Sequence, residues 1–380
     1  MKLLIGADIV PTKEQYIYFA NGNVEEVVDT KWFDLLESCD YSIFNLETPI
    51  TDSLFPIRKQ GENFSIPEKT IRGIKRLNPC FFTLANNHIM DQGVKGLKKT
   101  TQILTENGLS WGGVGNNLAE ASRPFIFETD DAKIGIYCCA EYEYSIAGRN
   151  KPGANPFDPL YSLDHIAELK TKCDYVIVLY HGGKEYYRYP SPRLQENCRR
   201  IIEKGADLVI CQHSHCIGCN EQWKNGTIIY GQGNACFTRL SDEFWDTALL
   251  IKVEIQGKCG KIDYVPLITK NKKVYFANEE EKENILTDFE KRSKEIQVED
   301  FVEQSYREFA NNNWEYYLLN LHGNHMRSVP FKIMNRLTGR KLRRKKLKQY
   351  YRKDDLIKIQ NFVRNQAHRE LLLKGLDNQL

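Results

Sequence analysis

Gly205-Ala-Asp207-Leu-Val-Ile-Cys211-Gln-His213-Ser-His215 is an apolar run that ends in two histidines one residue apart. Asp207 to Cys211 is rich in β-formers and bounded by Gly205, so it reads as a buried strand whose C-terminal end carries His213 and His215. Side chains alternate along an extended strand, so histidines at i and i+2 point the same way wherever the backbone stays extended. That spacing suits metal ligation, and it equally suits two hydrogen-bonded structural histidines. Whether other strands also end in ligands decides between the two.

Several do. Leu3 to Ile5 forms a first strand that leads into Gly6-Ala7-Asp8, and Tyr41-Ser-Ile-Phe-Asn45-Leu46 forms a second that ends in Glu47. Cys80 to Ala85 runs directly into Asn86-Asn87-His88-Ile-Met-Asp91-Gln-Gly93, and Asp174 to Tyr180 ends at His181-Gly-Gly-Lys184-Glu185. Further strands are expected over Ile134 to Ala140, Thr227 to Gly231 and Thr247 to Ile255, the last in a hairpin with Lys261 to Ile268. Between them lie helical patterns: Thr30 to Cys39, Val94 to Leu104 with Gly108 as its stop, and a helix capped by Ser191 with Pro192 at its first position. The glycine-rich Trp111-Gly-Gly-Val-Gly lacks both the dinucleotide fingerprint and the Walker lysine and reads as a turn. Strands with near-continuous apolar runs, alternating with helices, give an α/β fold with covered sheets.

The ligand-type residues at these strand ends are thus Asp8, Glu47, Asn87-His88, His181 and His213/His215. Carboxylates, an amide and imidazoles form the mixed oxygen and nitrogen set suited to divalent manganese, iron or zinc. A carboxylate bridging two such ions makes a two-metal hydrolytic site. The loop of residues 52–67 adds Arg58 and Lys59, which suit an anionic substrate or a solvated surface.

With 380 residues, 41% hydrophobic and 27% charged, the chain reads as an ordinary globular protein of one large or two ordinary domains. It has no apolar run of bilayer-spanning length and opens Met-Lys-Leu-Leu-Ile-Gly-Ala-Asp rather than with a signal-peptide pattern, so a cytoplasmic location is expected. Eleven scattered cysteines fit reduced thiols. Cys216-Ile-Gly-Cys219 lacks a second matching pair and reads as a loop with two free thiols rather than a zinc knuckle.

After about residue 275 the pattern turns helical, giving an expected division into a domain over 1–275 and a helical extension over 276–380. Within the extension, segment 332–353 holds 11 lysines and arginines and no acid; since the whole chain carries +3, the remainder carries −8. Apolar residues interleave with these cations, which suits an amphipathic helix on an anionic membrane surface. Docking on the acidic body is the competing reading, with other polyanions a third; no nucleic-acid fold surrounds the segment, so nucleic acid is not expected as a partner.

The motifs together resemble a known family. Gly6-Ala7-Asp8, Asn45-Leu46-Glu47, Asn86-Asn87-His88-Ile-Met-Asp91-Gln-Gly93, His181-Gly-Gly-Lys184-Glu185, Gly205-Ala-Asp207 through His213-Ser-His215, and Tyr230-Gly-Gln-Gly233-Asn234 are similar to the motif series of CapA-type proteins. Those proteins are associated with poly-γ-glutamate and capsule biosynthesis and belong to the calcineurin-like metallophosphoesterase superfamily. The resemblance covers roughly residues 3–255 and implies a four-layer α/β/β/α metallophosphoesterase-like sandwich, here followed by a C-terminal helical extension. It implies that Asp8 and His215 bind one metal, that Asn87, His181 and His213 bind a second, and that Glu47 bridges. It makes His88, oriented by Asp91, the catalytic histidine facing the leaving group. Val10 stands where the superfamily has a histidine ligand, so one metal or two remain open.

Three functions follow as expectations. The first is a metal-dependent phosphoesterase in capsule or surface-polymer biosynthesis, with Arg58, Lys59, Lys184 and Glu185 at an anionic substrate. The second is a metal-dependent amide hydrolase or transferase on a capsule polymer. The third is a non-catalytic assembly factor with a degenerate metal site, peripheral at the inner face of the membrane through 332–353.

Overall fold

The computed structural model describes residues 1–129, 132–238, 242–321, 329–338 and 341–377. Its strands, in chain order, are β1 (Lys2–Ile9), β2 (Tyr41–Leu46), β3 (Phe81–Thr83), β4 (Ser110–Gly112), β5 (Val114–Gly115), β6 (Phe125–Glu128), β7 (Lys133–Ala140), β8 (Gly153–Ala154), β9 (Tyr175–His181), β10 (Leu208–Gln212), β11 (Asn220–Trp223), β12 (Gly226–Tyr230), β13 (Asn234–Cys236), β14 (Thr247–Gln256), β15 (Cys259–Lys270) and β16 (Lys273–Phe276). An eight-stranded sheet runs β16-β15-β14-β1-β2-β3-β4 with β13 also on β1, and a six-stranded sheet runs β11-β12-β10-β9-β7-β6. β1 through β4 pair in parallel, as do β7, β9, β10 and β12, and antiparallel strands close the sheets beyond them.

Alternation along the central strands explains the layers. Ile177, Leu179 and Ile210 join Leu3, Ile5 and Ile43 in one core between the sheets. Val176, Val178 and Val209 face the other way, onto Ile166 and Leu169 of helix Ser162–Lys172 and Cys198 and Ile201 of helix Pro192–Glu203. Outside the first sheet, Trp32 of helix Lys31–Glu37 stacks on Phe44 at 5.8 Å. Each such buried aliphatic or aromatic side chain contributes roughly 1.5–3 kcal/mol relative to exposure, so both sheet faces must be covered and the α/β/β/α order follows.

Where the two sheets meet at the strand ends, buried amides tie them together. Gln212 donates from Nε2 to Gly6 O (3.2 Å) and Gln232 Oε1 (3.1 Å), and Gln232 Nε2 donates to Ile5 O (3.0 Å). Gly6 itself cannot take a side chain, because a Cβ there would lie 2.3 Å from the Phe44 ring.

Away from the site, the sequence reading differs from the structure at three places. Trp111-Gly112 is not a turn but part of β4, in register with Phe82-Thr83 of β3; pairing with a sheet edge overrides the local turn chemistry of glycine. Residues 332–353 span two helices, Val329–Leu337 and Lys341–Tyr350, rather than one, and Arg340 lies outside the described residues. The amphipathic stretch from Leu356 to Leu373 is likewise split, since Asn365 has extended backbone between helices Lys353–Arg364 and Gln366–Asp377.

The chain divides into two compact units, Met1–Glu303 and Gln304–Leu380. Helix Glu279–Glu295, opened by a capping box between Asn278 and Glu281, buries Phe289 against Tyr264 of β15. The change to helix near residue 275 therefore precedes the division between units. Among the described residues no helix is long and apolar enough to cross a membrane.

Candidate metal centre

Asp8 and Asn45 are register partners on β1 and β2, and Glu47 follows β2 directly. Asn45 Nδ2 donates to Asp8 Oδ1 (2.7 Å) and lies 3.1 Å from His181 Nδ1 at the end of β9. Asn86 supports this amide by donating to Asn45 Oδ1 (2.9 Å), while its own Oδ1 accepts from the His88 (3.1 Å) and Ile89 (2.8 Å) backbone amides. That holds the turn which presents Asn87, whose Oδ1 is 3.0 Å from His181 Nε2. Two strands of one sheet and one of the other thus converge through a buried amide ladder.

The histidine pair does not continue β10. His213 and His215 have φ of 85° and 54°, so the backbone leaves the extended form. The condition under which both rings would point the same way is therefore not met: their centroids stand 6.1 Å apart, and each meets a different carboxylate set. His215 Nδ1 lies 2.9 Å from Asn234 Oδ1 and 3.6 Å from Asp8 Oδ2, and Trp245 stacks on its ring at 4.7 Å. Positive φ at two non-glycine residues stores strain of the kind that clusters at functional sites.

Two of the three-residue sets in which ligand atoms gather are Asp8 with Glu47 and His215, and Glu47 with His181 and His213. Glu47 is common to both. Asp8 Oδ2, both Glu47 oxygens and His213 Nδ1 are buried without a hydrogen bond. Buried carboxylate oxygens left without donors are costly, and a divalent cation is what this donor set would satisfy. The residues present therefore fit a metal, with Asn87 Oδ1 as a further oxygen beside His181.

Burial also sets the protonation of these groups. It raises Asp8 to about 7, with the Glu47 charge adding to the effect, and raises Glu47 to about 7. It lowers His181 to about 4 and takes His213 well below its usual range, where neighbouring His181 and His215 act in the same direction. Both imidazoles are therefore held neutral, the form that binds metals.

Beside the sets, His88 Nδ1 is 2.6 Å from Asp91 Oδ2, and Phe64 stacks on the ring at 4.0 Å. Asp91 also accepts from Phe64 N (2.7 Å) and pairs with Lys59, whose Nζ lies 3.3 Å from His88 Nδ1. Lys59 is thus a buried partner of Asp91 rather than a solvated loop cation. Arg58 is exposed; Lys184 and Glu185 are half-buried, and their charges reach Glu141 and Glu143.

Glu141 and Glu143 are the residues that sequence reasoning missed. Glu141 N donates to His181 O (3.0 Å), one step past the Ala140↔His181 register pair, so it ends β7 as the other ligands end theirs. The carboxylate immediately after Cys138-Cys139-Ala140 was the available signal. Asn45 and Asn234, which orient ligands, and Phe237 and Trp245, which pack with Val10, likewise had no role assigned.

Two packed sheets with outer helices, and a carboxylate-bridged candidate ligand set at strand ends drawn from both, define a metallophosphoesterase-like α/β/β/α protein. The family described as "Bacterial capsule synthesis protein PGA_cap" matches residues 2–239, and the chain belongs to that family. It is 28% identical over 241 residues to the capsule biosynthesis protein CapA of Bacillus anthracis, covering 61% of this chain and 59% of that protein. It is 26% identical over 257 residues to the PGA biosynthesis protein CapA of Bacillus subtilis, covering 64% and 67%. The match thus spans less than two-thirds of the Bacillus anthracis protein. Among solved structures, a novel phosphatase of Mycoplasma pneumoniae matches with a TM-score of 0.44 and 15% identity over 74% of this chain and 96% of that one. A 5'-nucleotidase of Candida albicans matches with a TM-score of 0.40 and 10% identity over 82% and 57%.

Proposed function

We propose that this chain is a metal-dependent phosphoesterase acting in the synthesis of a bacterial capsule or related surface polymer. The observation that carries the reading is the pair of three-ligand sets sharing Glu47, set beside His88 and Asp91. Asp8, Glu47 and His215 would hold one divalent ion of the manganese, iron or zinc kind, and Glu47, His181 and His213, with Asn87, another. Such ions supply a hydroxide from bound water and polarise phosphoryl oxygens. Asp91 fixes the His88 ring through Nδ1, which leaves Nε2 to hand a proton to the departing oxygen. Phe64, stacked on that ring, keeps it in one plane and shields the Asp91 contact from water. Lys59 balances the charge of Asp91 and brings a cation to the side where an anionic substrate would lie.

The test is hydrolysis of an aryl phosphate with manganese, lost with EDTA and in His215→Ala. Metal-loaded protein inactive on a broad phosphoester panel would overturn the reading. A second reading, cleavage or transfer at a polymer amide, is favoured by the carboxylates Glu141, Glu143 and Glu185 around the centre, which oppose a phosphate dianion. Product analysis separates the two.

We further propose that the basic segment 332–353 places the protein peripherally on an anionic membrane surface. Exposed Ile333, Met334 and Leu337 beside these cations support it. Co-sedimentation with anionic liposomes at low salt, weakening as salt rises, is expected; no binding at low salt removes the reading.

A further inference from the structure

Glu141 and Glu143, on the exit of β7, form a third ligand set with His213. His213 Nε2 lies 3.8 Å from Glu141 Oε1 and 3.9 Å from Glu143 Oε1. These separations are too long for hydrogen bonds. They suit three ligands around one ion, because metal–ligand bonds of roughly 2.0–2.2 Å place neighbouring ligand atoms about 3–4 Å apart. Glu141 Oε2 accepts from Gly183 N (3.1 Å), which leaves Oε1 turned to the imidazole. Among the described residues neither carboxyl group has a lysine or arginine within ion-pair distance, and the two stand together beside an imidazole that is 5% exposed and unpartnered at Nδ1.

We infer that Glu141, Glu143 and His213 form an outer seat for a divalent cation of the manganese, iron or zinc class, from which the ion passes to the inner set of Glu47, His181 and His213. The inference rests on the reading that the inner set holds a cation. A neutral imidazole has one lone pair, so His213 serves one of the two positions at a time. The two seats differ in access. The Glu141 and Glu143 side chains are 39% and 34% exposed, whereas Glu47 is closed to solvent. Carboxylates at the surface exchange ligands with hydrated ions readily, and handing the ion inward through a shared histidine removes the need for a bare cation to cross a closed shell.

The experiment uses full-length protein stripped with chelator and reloaded with manganese alone, followed by the loss of the free-manganese resonance signal. Glu141→Gln/Glu143→Gln is expected to load at least tenfold more slowly and to reach the same final number of bound ions. Loading at the wild-type rate overturns the outer seat and leaves the inner centre standing. In Asp8→Asn/Glu47→Gln/His181→Ala one bound ion is expected to remain, and to vanish when Glu141→Gln/Glu143→Gln is added; an ion that survives the addition, or none at the outset, overturns the seat. Wild-type protein that takes up no manganese overturns both positions, whereas uptake with these rates but no phosphoester cleavage sinks only the hydrolase.

Discussion

Glu47 Oε1 lies 3.2 Å from His181 Nε2, with the Glu47 side chain closed to solvent and that of His181 2% exposed. The carboxylate is built for a cation and poorly suited to its absence. Ionising it at pH 8 without metal costs roughly 3 kcal/mol, given a rise from 4.5 to about 7. In EDTA, Glu47→Gln is therefore expected to be more stable than wild type by up to about 3 kcal/mol at pH 8, and nearly equal to it at pH 4, where the glutamate is neutral in the fold and mostly neutral in the unfolded chain. Manganese should reverse the order, because only wild type gains from binding. Urea unfolding under the four conditions checks this, and identical midpoints in EDTA at pH 8 would count against it.

The same burial makes metal binding compete with protons. Asp8 and Glu47, both raised to about 7, stabilise the metal-free fold below their ordinary values of 3.8 and 4.5 and lose that contribution as pH rises through 7. His181, lowered to about 4, works oppositely: its contribution is present above 6.5 and lost as pH falls through 4. Ligation requires both carboxyls ionised and the imidazole neutral. Manganese affinity is thus expected to fall by roughly one to two decades per pH unit from 7 to 5 and to level off above 8. Affinity independent of pH over that range, measured by calorimetry, would show that the two carboxyls are not the ligands.

His88 and Asp91 are adjacent in the site yet should fail differently. His88→Ala is expected to lower kcat by about 10²–10⁴ while leaving metal content unchanged, since His88 belongs to neither ligand set. Asp91→Asn removes the charge that pairs with buried Lys59, and breaking one side of a buried pair costs about 3–5 kcal/mol. Kinetics and denaturation on the two variants separate a chemical role from a structural one.

The six residues expected to hold metal come together because each ends a strand or lies in the turn beyond it, and strand ends are where an apolar run meets a polar residue. That boundary is legible without a structure. Direction at the boundary is legible only through the family resemblance, which assigns His213 and His215 to different metals: the positive φ of both turns the rings toward different carboxylates, which an extended-strand rule cannot foresee. Glu141 shares the strand-end signal, but its relevance comes from β7 lying beside β9, a neighbour relation set by sheet topology. Lys59 was legible as a loop cation and not as the partner of Asp91, since residues far apart in sequence acquire that contact only when the loop folds over the Asn86–Gly93 turn. In the second unit, the helix break at Asn365 depends on one residue's backbone, which periodicity averages away.

Cys216 and Cys219 provide a test that does not depend on the metal centre. Both are buried, and burial raises the Cys216 thiol to about 11 and Cys219 well above its ordinary range. They should remain protonated, bind no zinc and resist thiolate chemistry. Of the cysteines, Cys259 is exposed, Cys39 and Cys80 are intermediate, and the remaining eight are buried. An aromatic disulfide reagent at pH 8 is therefore expected to label Cys259 first and Cys39 and Cys80 more slowly, with the other eight reacting only as the fold opens in denaturant. Stoichiometric zinc in the purified protein that disappears in Cys216→Ser would overturn the free-thiol assignment and move metal chemistry to a second place in the chain.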